Sequence, residues 1–220
     1  MKINHHPNDE SLLDYASGAM REAWSIAVST HITLCSKCRG SISEIEAIGG
    51  SMLSQMPPTS SNQSCIIDFE KIINNDFLPC NETAKMLTKI DIIEKLPNPL
   101  NNYLGKSLSE ISWKSLGFGA SQFLIPIDDK SATARLIKIS AGKKVPKHSH
   151  QGLEMTLVLS GSFSDNTGHY TVGDLQEANE ELDHQPHASS LSNCICLAIT
   201  DAPLRFNSLT ARLIQPIIGI

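Results

Sequence analysis

His31, Cys35 and Cys38 carry metal-binding side chains at positions i, i+4 and i+7 of the stretch THITLCSKCRG, residues 30–40. On one helix that spacing predicts a single face. Thiolate and imidazole are zinc ligands, and structural zinc sites take four of them. The fourth must come from elsewhere, and either His5 or His6, just ahead of the first helix, can supply it. A metal held this way ties the N-terminal segment to a later helix and adds folding free energy to a small helical domain. CxxC alone also suits a redox pair or two core cysteines. The His four residues upstream and the earlier His pair favour metal.

A second group lies in KHSHQGLE, residues 147–154. His148 and His150 are two apart, which on a strand puts them on the same face. Glu154 follows beyond Gly152. Two imidazoles and a carboxylate suit Zn, Mn, Fe, Ni or Cu. Further on, HYTVGDLQEANEELDHQPHAS offers His184 and His187, while His169 reads as a solvated turn residue. Cys194 and Cys196, at strand spacing in CICLAIT, read either as small buried apolar residues or as oxidant-reactive thiols beside a β-domain pocket.

The elements that must position these groups fall into two textures. Asn8 or Asp9 can cap a first helix through Leu12, Leu13, Tyr15 and Ala16, with Gly18 ending it. A longer helical pattern runs over 21–52, with Gly49-Gly50 as the point where it would break. A polar, Pro-rich loop follows at 55–64, and an amphipathic helix at 81–96. Residues 96–107, rich in Pro and Asn, read as a linker. Beyond them FLIPI, ATARLIKIS, MTLVLSGSFS, HYTVGD, CICLAIT and LTARLIQPII are strand-like runs between turn residues. The expected fold is therefore multidomain α + β, with helices over 1–95 and a β-sandwich or small barrel over 108–220.

Composition narrows the partners. The 220 residues carry a net charge of −5, which argues against direct nucleic-acid binding and suits a basic protein partner. No window reaches the roughly 18–20 apolar residues of a membrane span, and MKINHHPNDE lacks the apolar core of a signal peptide. The expected location is the cytoplasm, with the six cysteines as thiols or metal ligands rather than disulfides.

His-x3-Cys-x2-Cys with an N-terminal His, within HHPNDESLLDYASGAMREAWSIAVSTHITLCSKCRG, resembles the start of the zinc-binding anti-sigma factors of the ChrR type over about the first 95 residues. The resemblance implies zinc ligands His6, His31, Cys35 and Cys38. It also implies a helical domain that wraps a group IV (extracytoplasmic function) sigma factor and keeps it from RNA polymerase. Gly142, His148, His150, Glu154 and Gly161 match the first cupin motif, G-x5-H-x-H-x3-E-x6-G, at every position. The usual P-x-G and final Asn of the second cupin motif are absent. The ChrR-type pattern sets a His directly before x-Pro, which implies His184 as the further ligand to zinc or another divalent metal. The implied role is release of the sigma factor on an oxidative signal, such as singlet oxygen or organic peroxide. The rival reading is a metal-dependent cupin enzyme, of dioxygenase or isomerase type, with a helical accessory domain. The N-terminal His/Cys motif discriminates, since a plain cupin enzyme does not need it.

Overall fold

Asn8 starts the first helix. In the computed structural model, which describes residues 2–57 and 96–206, its side chain accepts a hydrogen bond from the Ser11 amide, and α1 spans Asp9–Ala16. Gly18, at φ +73°, takes the left-handed conformation that turns the chain after it.

The helical pattern at 21–52 is two helices, not one. α2 spans Glu22–Leu34 and α3 spans Ser36–Gln55, and between them Cys35 is extended, at φ −106° and ψ 104°. The reason is geometric. On one straight helix His31 and Cys38 stand roughly 10 Å apart along the axis, too far for one tetrahedral centre. The break at Cys35 folds α3 back so that the two meet. Gly49-Gly50 does not interrupt α3. Residues 96–107 contain a further helix, α4 (Asn98–Leu104), which follows Pro97 and ends at left-handed Gly105. Its Leu100 and Leu104 are buried. The loop read at 55–64 falls outside the described residues beyond Pro57, as does the amphipathic stretch at 81–96 apart from buried Leu96. The strand-like run LTARLIQPII also lies outside them.

The β part is antiparallel. Its strands are β1 (Lys114–Gly117), β2 (Ala120–Leu124), β3 (Thr133–Ile139), β4 (His148–Ser149), β5 (Glu154–Ser160), β6 (Ser162–Ser164), β7 (His169–Thr171), β8 (Leu175–Ala178), β9 (Asp183–His184), β10 (His187–Ala188), β11 (Cys194–Thr200) and β12 (Arg205–Phe206). Six form one sheet in the order β1-β2-β3-β11-β5-β8, faced by β10-β6-β7 and β12-β4-β9. Both faces of the large sheet are covered, which is why CICLAIT and MTLVL read as continuous apolar runs. Leu157 and Leu159 of β5 and Leu197 and Ile199 of β11 share a core cluster with Trp24, Ile26 and Ala27 of α2. The alternate residues Val158, Cys194 and Cys196 join Phe163 and Tyr170 on the other side. Helices and sheet therefore share one core across what would otherwise be a domain boundary.

Ile26 is 2% exposed within that shared core. Ile26→Ala is expected to cost about 2–5 kcal/mol. Native-state hydrogen exchange checks it: the amides of α2 and of β11 should lose protection together, and a loss confined to the helices would show two separate cores.

Candidate metal centres

The break between α2 and α3 builds the first centre. Cys35 caps α3, its Sγ accepting from the Cys38 amide at 3.5 Å. The α3 N-terminus thus carries both sulfurs, Cys35 at its cap and Cys38 in its first turn. His6 Nδ1 lies 3.4 Å from the Cys35 Sγ and 3.4 Å from the Cys38 Sγ. His31 Nε2 lies 3.3 Å from the Cys38 Sγ. One donor atom from each of the four residues falls within 4.8 Å of all the others. For zinc bonds of about 2.3 Å to sulfur and about 2.05 Å to nitrogen, the S–N edge of a tetrahedron is about 3.5 Å. The donor types and spacings fit zinc.

The neighbouring His5 takes another path. Its Nδ1 lies 3.5 Å from Asp174 Oδ1, and its ring packs at a tilt against Tyr170, centroids 4.2 Å apart. The opposite nitrogen of His31 also reaches the β part, with Nδ1 2.8 Å from the Gly173 carbonyl oxygen.

The second centre is built by register. His148 of β4 stands directly opposite His184 of β9, and His150 follows two residues along on the same side. His184 Nε2 lies 3.0 Å from His148 Nε2 and 3.2 Å from His150 Nε2. Nitrogens bound to one metal at about 2.1 Å would stand about 3.0–3.4 Å apart, so these three fit. Glu154, the first residue of β5, stands outside the group of three. Its Oε2 lies 3.6 Å from His150 Nδ1, while its Oε1 accepts from the Thr156 hydroxyl at 2.8 Å. His169 and His187 are exposed, and neither joins the group.

Sequence reading missed the groups behind these imidazoles. Asp165 Oδ2 lies 2.7 Å from His184 Nδ1 and accepts from Gln176 Nε2 at 2.9 Å. This carboxylate fixes His184 in the tautomer whose Nε2 faces the other two rings. Asp165 stands in the SDNTG turn, where an Asp is ordinary turn chemistry and carries no signal of its own. Arg135 of β3 is a second omission. It is buried on the wall of a largely apolar cavity of about 520 Å³ that His148, His184, Glu154, Phe163 and Cys196 also line. Cys194 and Cys196 are brought together, Sγ to Sγ 3.6 Å, on the barrel side of β11. Hydrogen bonding with Cys194, followed by burial, pushes the Cys196 thiol well above its usual range, so the thiolate is scarce.

Burial governs both clusters. It lowers His31 from 6.5 to about 4, against an opposing bond to Gly173, and lowers His148 from 6.5 to about 4, against the opposing Glu154 charge. Burial, then the Cys35 neighbour, raises the Cys38 thiol to about 12. Burial alone would raise the Asp165 carboxyl, but hydrogen bonds from His184, Gln176 and Thr167 outweigh it and hold the group well below the usual carboxylate range. His31 and His148 are thus neutral and ready to ligate at neutral pH, and metal entry expels the proton of the Cys38 thiol.

Comparison with known proteins gives consistent matches. Residues 104–202 match the family model described as the ChrR cupin-like domain. The anti-sigma-E factor ChrR of Cereibacter sphaeroides is 38% identical over 220 residues, covering 100% of both chains. A crystal structure of Rhodobacter sphaeroides SigE in complex with the anti-sigma ChrR superposes with a TM-score of 0.75 at 35% identity, covering 91% of this chain and 100% of that one. Among the described residues no helix is long and apolar enough to cross a membrane.

The depressed imidazoles set a pH dependence for the metal-free chain. A folded pKa of about 4 against 6.5 for His31 means that the unfolded chain binds more protons between those values. Stability is therefore full above about 6.5 and is lost as pH falls towards 4, on the order of 3 kcal/mol from His31 alone. Urea unfolding of chelator-treated protein at neutral and acid pH measures it, and a flat profile would refute the burial argument.

Proposed function

Since the chain belongs to the family of ChrR anti-sigma factors, we propose that it binds a group IV (extracytoplasmic function) sigma factor in the cytoplasm and withholds it from RNA polymerase. The observation that carries this reading is the likeness, over 91% of this chain, to an anti-sigma factor crystallised with SigE. His6, His31, Cys35 and Cys38 would hold a structural zinc, pinning the N-terminal segment to the α2–α3 break. His148, His150 and His184 would hold a second divalent ion at the cavity, with Glu154, beside His150, as the fourth ligand. This second ion would act in the response to an oxidative signal, not in inhibition.

Residues 1–95 would carry inhibition and 108–220 signal response, a division of labour rather than of packing, given the shared core. The outer half of α3 supports the first assignment. Ile48, Met52, Leu53 and Met56 are 62%, 66%, 71% and 64% exposed. Four large apolar side chains in water, three on the last turns of α3 and Met56 at its C-cap, suit an amphipathic helix face that docks a partner. The acidic balance suits a basic partner surface. The 520 Å³ cavity beside three imidazoles is the one feature that favours the second reading, a metal-dependent cupin enzyme. Capture of a sigma factor decides between them.

The full chain, co-expressed with group IV sigma factors of the same organism, should co-purify with one of them and silence its transcription in vitro. Failure with every such factor would sink the reading. Leu53→Glu puts a charge on the exposed α3 face and should weaken the complex by about 2 kcal/mol, roughly 30-fold, without loss of stability. Unchanged affinity would remove α3 from the interface. Cys38→Ser should release the zinc and unfold the N-terminal segment, lowering helical circular dichroism. Unchanged zinc stoichiometry would refute the ligand set.

A further inference from the structure

We propose that the Gly173-Asp174 turn of the β part is the outer shell of the His/Cys centre, so that both halves of the chain set its zinc affinity. This rests on the zinc reading above. His31 is 0% exposed and uses both ring nitrogens. Nε2 faces the Cys38 sulfur at 3.3 Å, and Nδ1 stands 2.8 Å from the Gly173 carbonyl oxygen. A carbonyl oxygen only accepts, so Nδ1 carries the proton and donates it. Nε2 is left with its lone pair aimed at the cluster.

The next residue holds the other imidazole. Asp174 is 0% exposed. Its Oδ1 accepts from the Asn4 amide at 2.7 Å and from the His5 amide at 2.9 Å. The Leu175 amide donates to the His5 carbonyl at 3.2 Å. Three successive contacts thus clamp the backbone immediately before His6. The two centres of control are distinct: the α2–α3 break places the sulfurs, and the β part places both imidazoles. Gly173 sits at φ +89°, where other residues are strained, so the carbonyl is aimed by a glycine turn. The other Asp174 oxygen, Oδ2, accepts from the Thr171 amide at 2.8 Å and the Thr171 hydroxyl at 3.0 Å, locking the carboxylate from its own side.

The same segment reaches the second centre. Gln176, two residues beyond Asp174, donates to the Asp165 carboxylate that holds His184. Four consecutive residues therefore carry outer contacts of both clusters.

The test uses the full-length, zinc-loaded chain. Asp174→Asn replaces one acceptor oxygen with a carboxamide NH2, which donates and cannot accept from the amide and hydroxyl donors around it. Zinc affinity at the His/Cys centre, read by competition with a chromophoric chelator, should fall by about 10–100-fold. Thr171→Val removes one of the two contacts to Oδ2 and keeps both acceptor oxygens, so it should lower that affinity less than Asp174→Asn does. Equal affinity in Asp174→Asn and the parent would overturn the proposal, as would an equal loss in Thr171→Val. A parent chain that keeps its full zinc after Cys35→Ser would instead overturn the underlying zinc reading. Should Asp174→Asn fail to fold, nitrogen-15 spectra of the unaltered zinc-loaded chain decide. The His31 ring proton should lie on Nδ1 and be protected from solvent exchange. A proton on Nε2, or a freely exchanging Nδ1–H, would overturn the role of Gly173.

Discussion

One imidazole ring joins the two halves of this molecule. His31 is buried at the C-terminal end of α2, one nitrogen towards two thiols and the other on a backbone carbonyl more than a hundred residues away. A ring constrained at both nitrogens fixes the rotation of α2 about its axis and its height above the sheet. The small residues Ala23 and Ala27 and the larger Trp24 and Ile26 then meet the outer leucines of β5 and β11 in one register. Move the ring and the hydrogen bond, the donor set and the core packing are lost together.

Charge accounting explains why such polar clusters can be buried. Without metal, burial raises the Cys38 thiol and lowers the His31 and His6 imidazoles, so these three are neutral near pH 7. With zinc, two thiolates cancel the ion. Neither state leaves an uncompensated charge in the interior, which would cost several kcal/mol. The cavity cluster is different. Imidazole carries no negative charge to balance a divalent ion, and the negative charge comes from Glu154 beside His150 and Asp165 behind His184. Arg135 on the same wall offsets one of them. The first centre is electrically closed and suited to structure, whereas the second keeps positive character and an adjoining cavity, as a site that meets something from outside would.

How much of this was legible depended on the range of the physics. Asn8 as a cap, Gly18 as a stop and the strands in ATARLIKIS and CICLAIT are decided by neighbouring residues, and they stand where local propensity and period predict. The two clusters were legible because ligand chemistry leaves a local spacing. The break at Cys35 was not, because the periodicity of α2 and α3 runs through it unchanged, and only the demand that four donors meet at one point bends the chain. Gly49-Gly50 misled for the opposite reason: two glycines weaken a helix without forbidding it. Asp165 and Asp174 left no readable trace. Each looks like a turn aspartate, and each acts through partners far along the chain, Asn4 and His5 in the second case.

The large sheet turns these contacts into a route. Along β11, Leu197 and Ile199 point at the helices while Cys194 and Cys196 point at the barrel interior, so alternate residues of one strand belong to the two cores. Along β8 the same alternation sets Leu175 under the helices, where its amide takes the His5 carbonyl, and Gln176 towards Asp165. A strand in a close-packed sheet cannot shift on one face alone, because each pleat is shared. Gln176, bonded to the Asp165 carboxylate behind His184, is one peptide unit from Leu175, whose amide donates to the His5 carbonyl just before His6. The two centres thus draw on opposite faces of one strand, which is why neither can be described from one half of the chain alone.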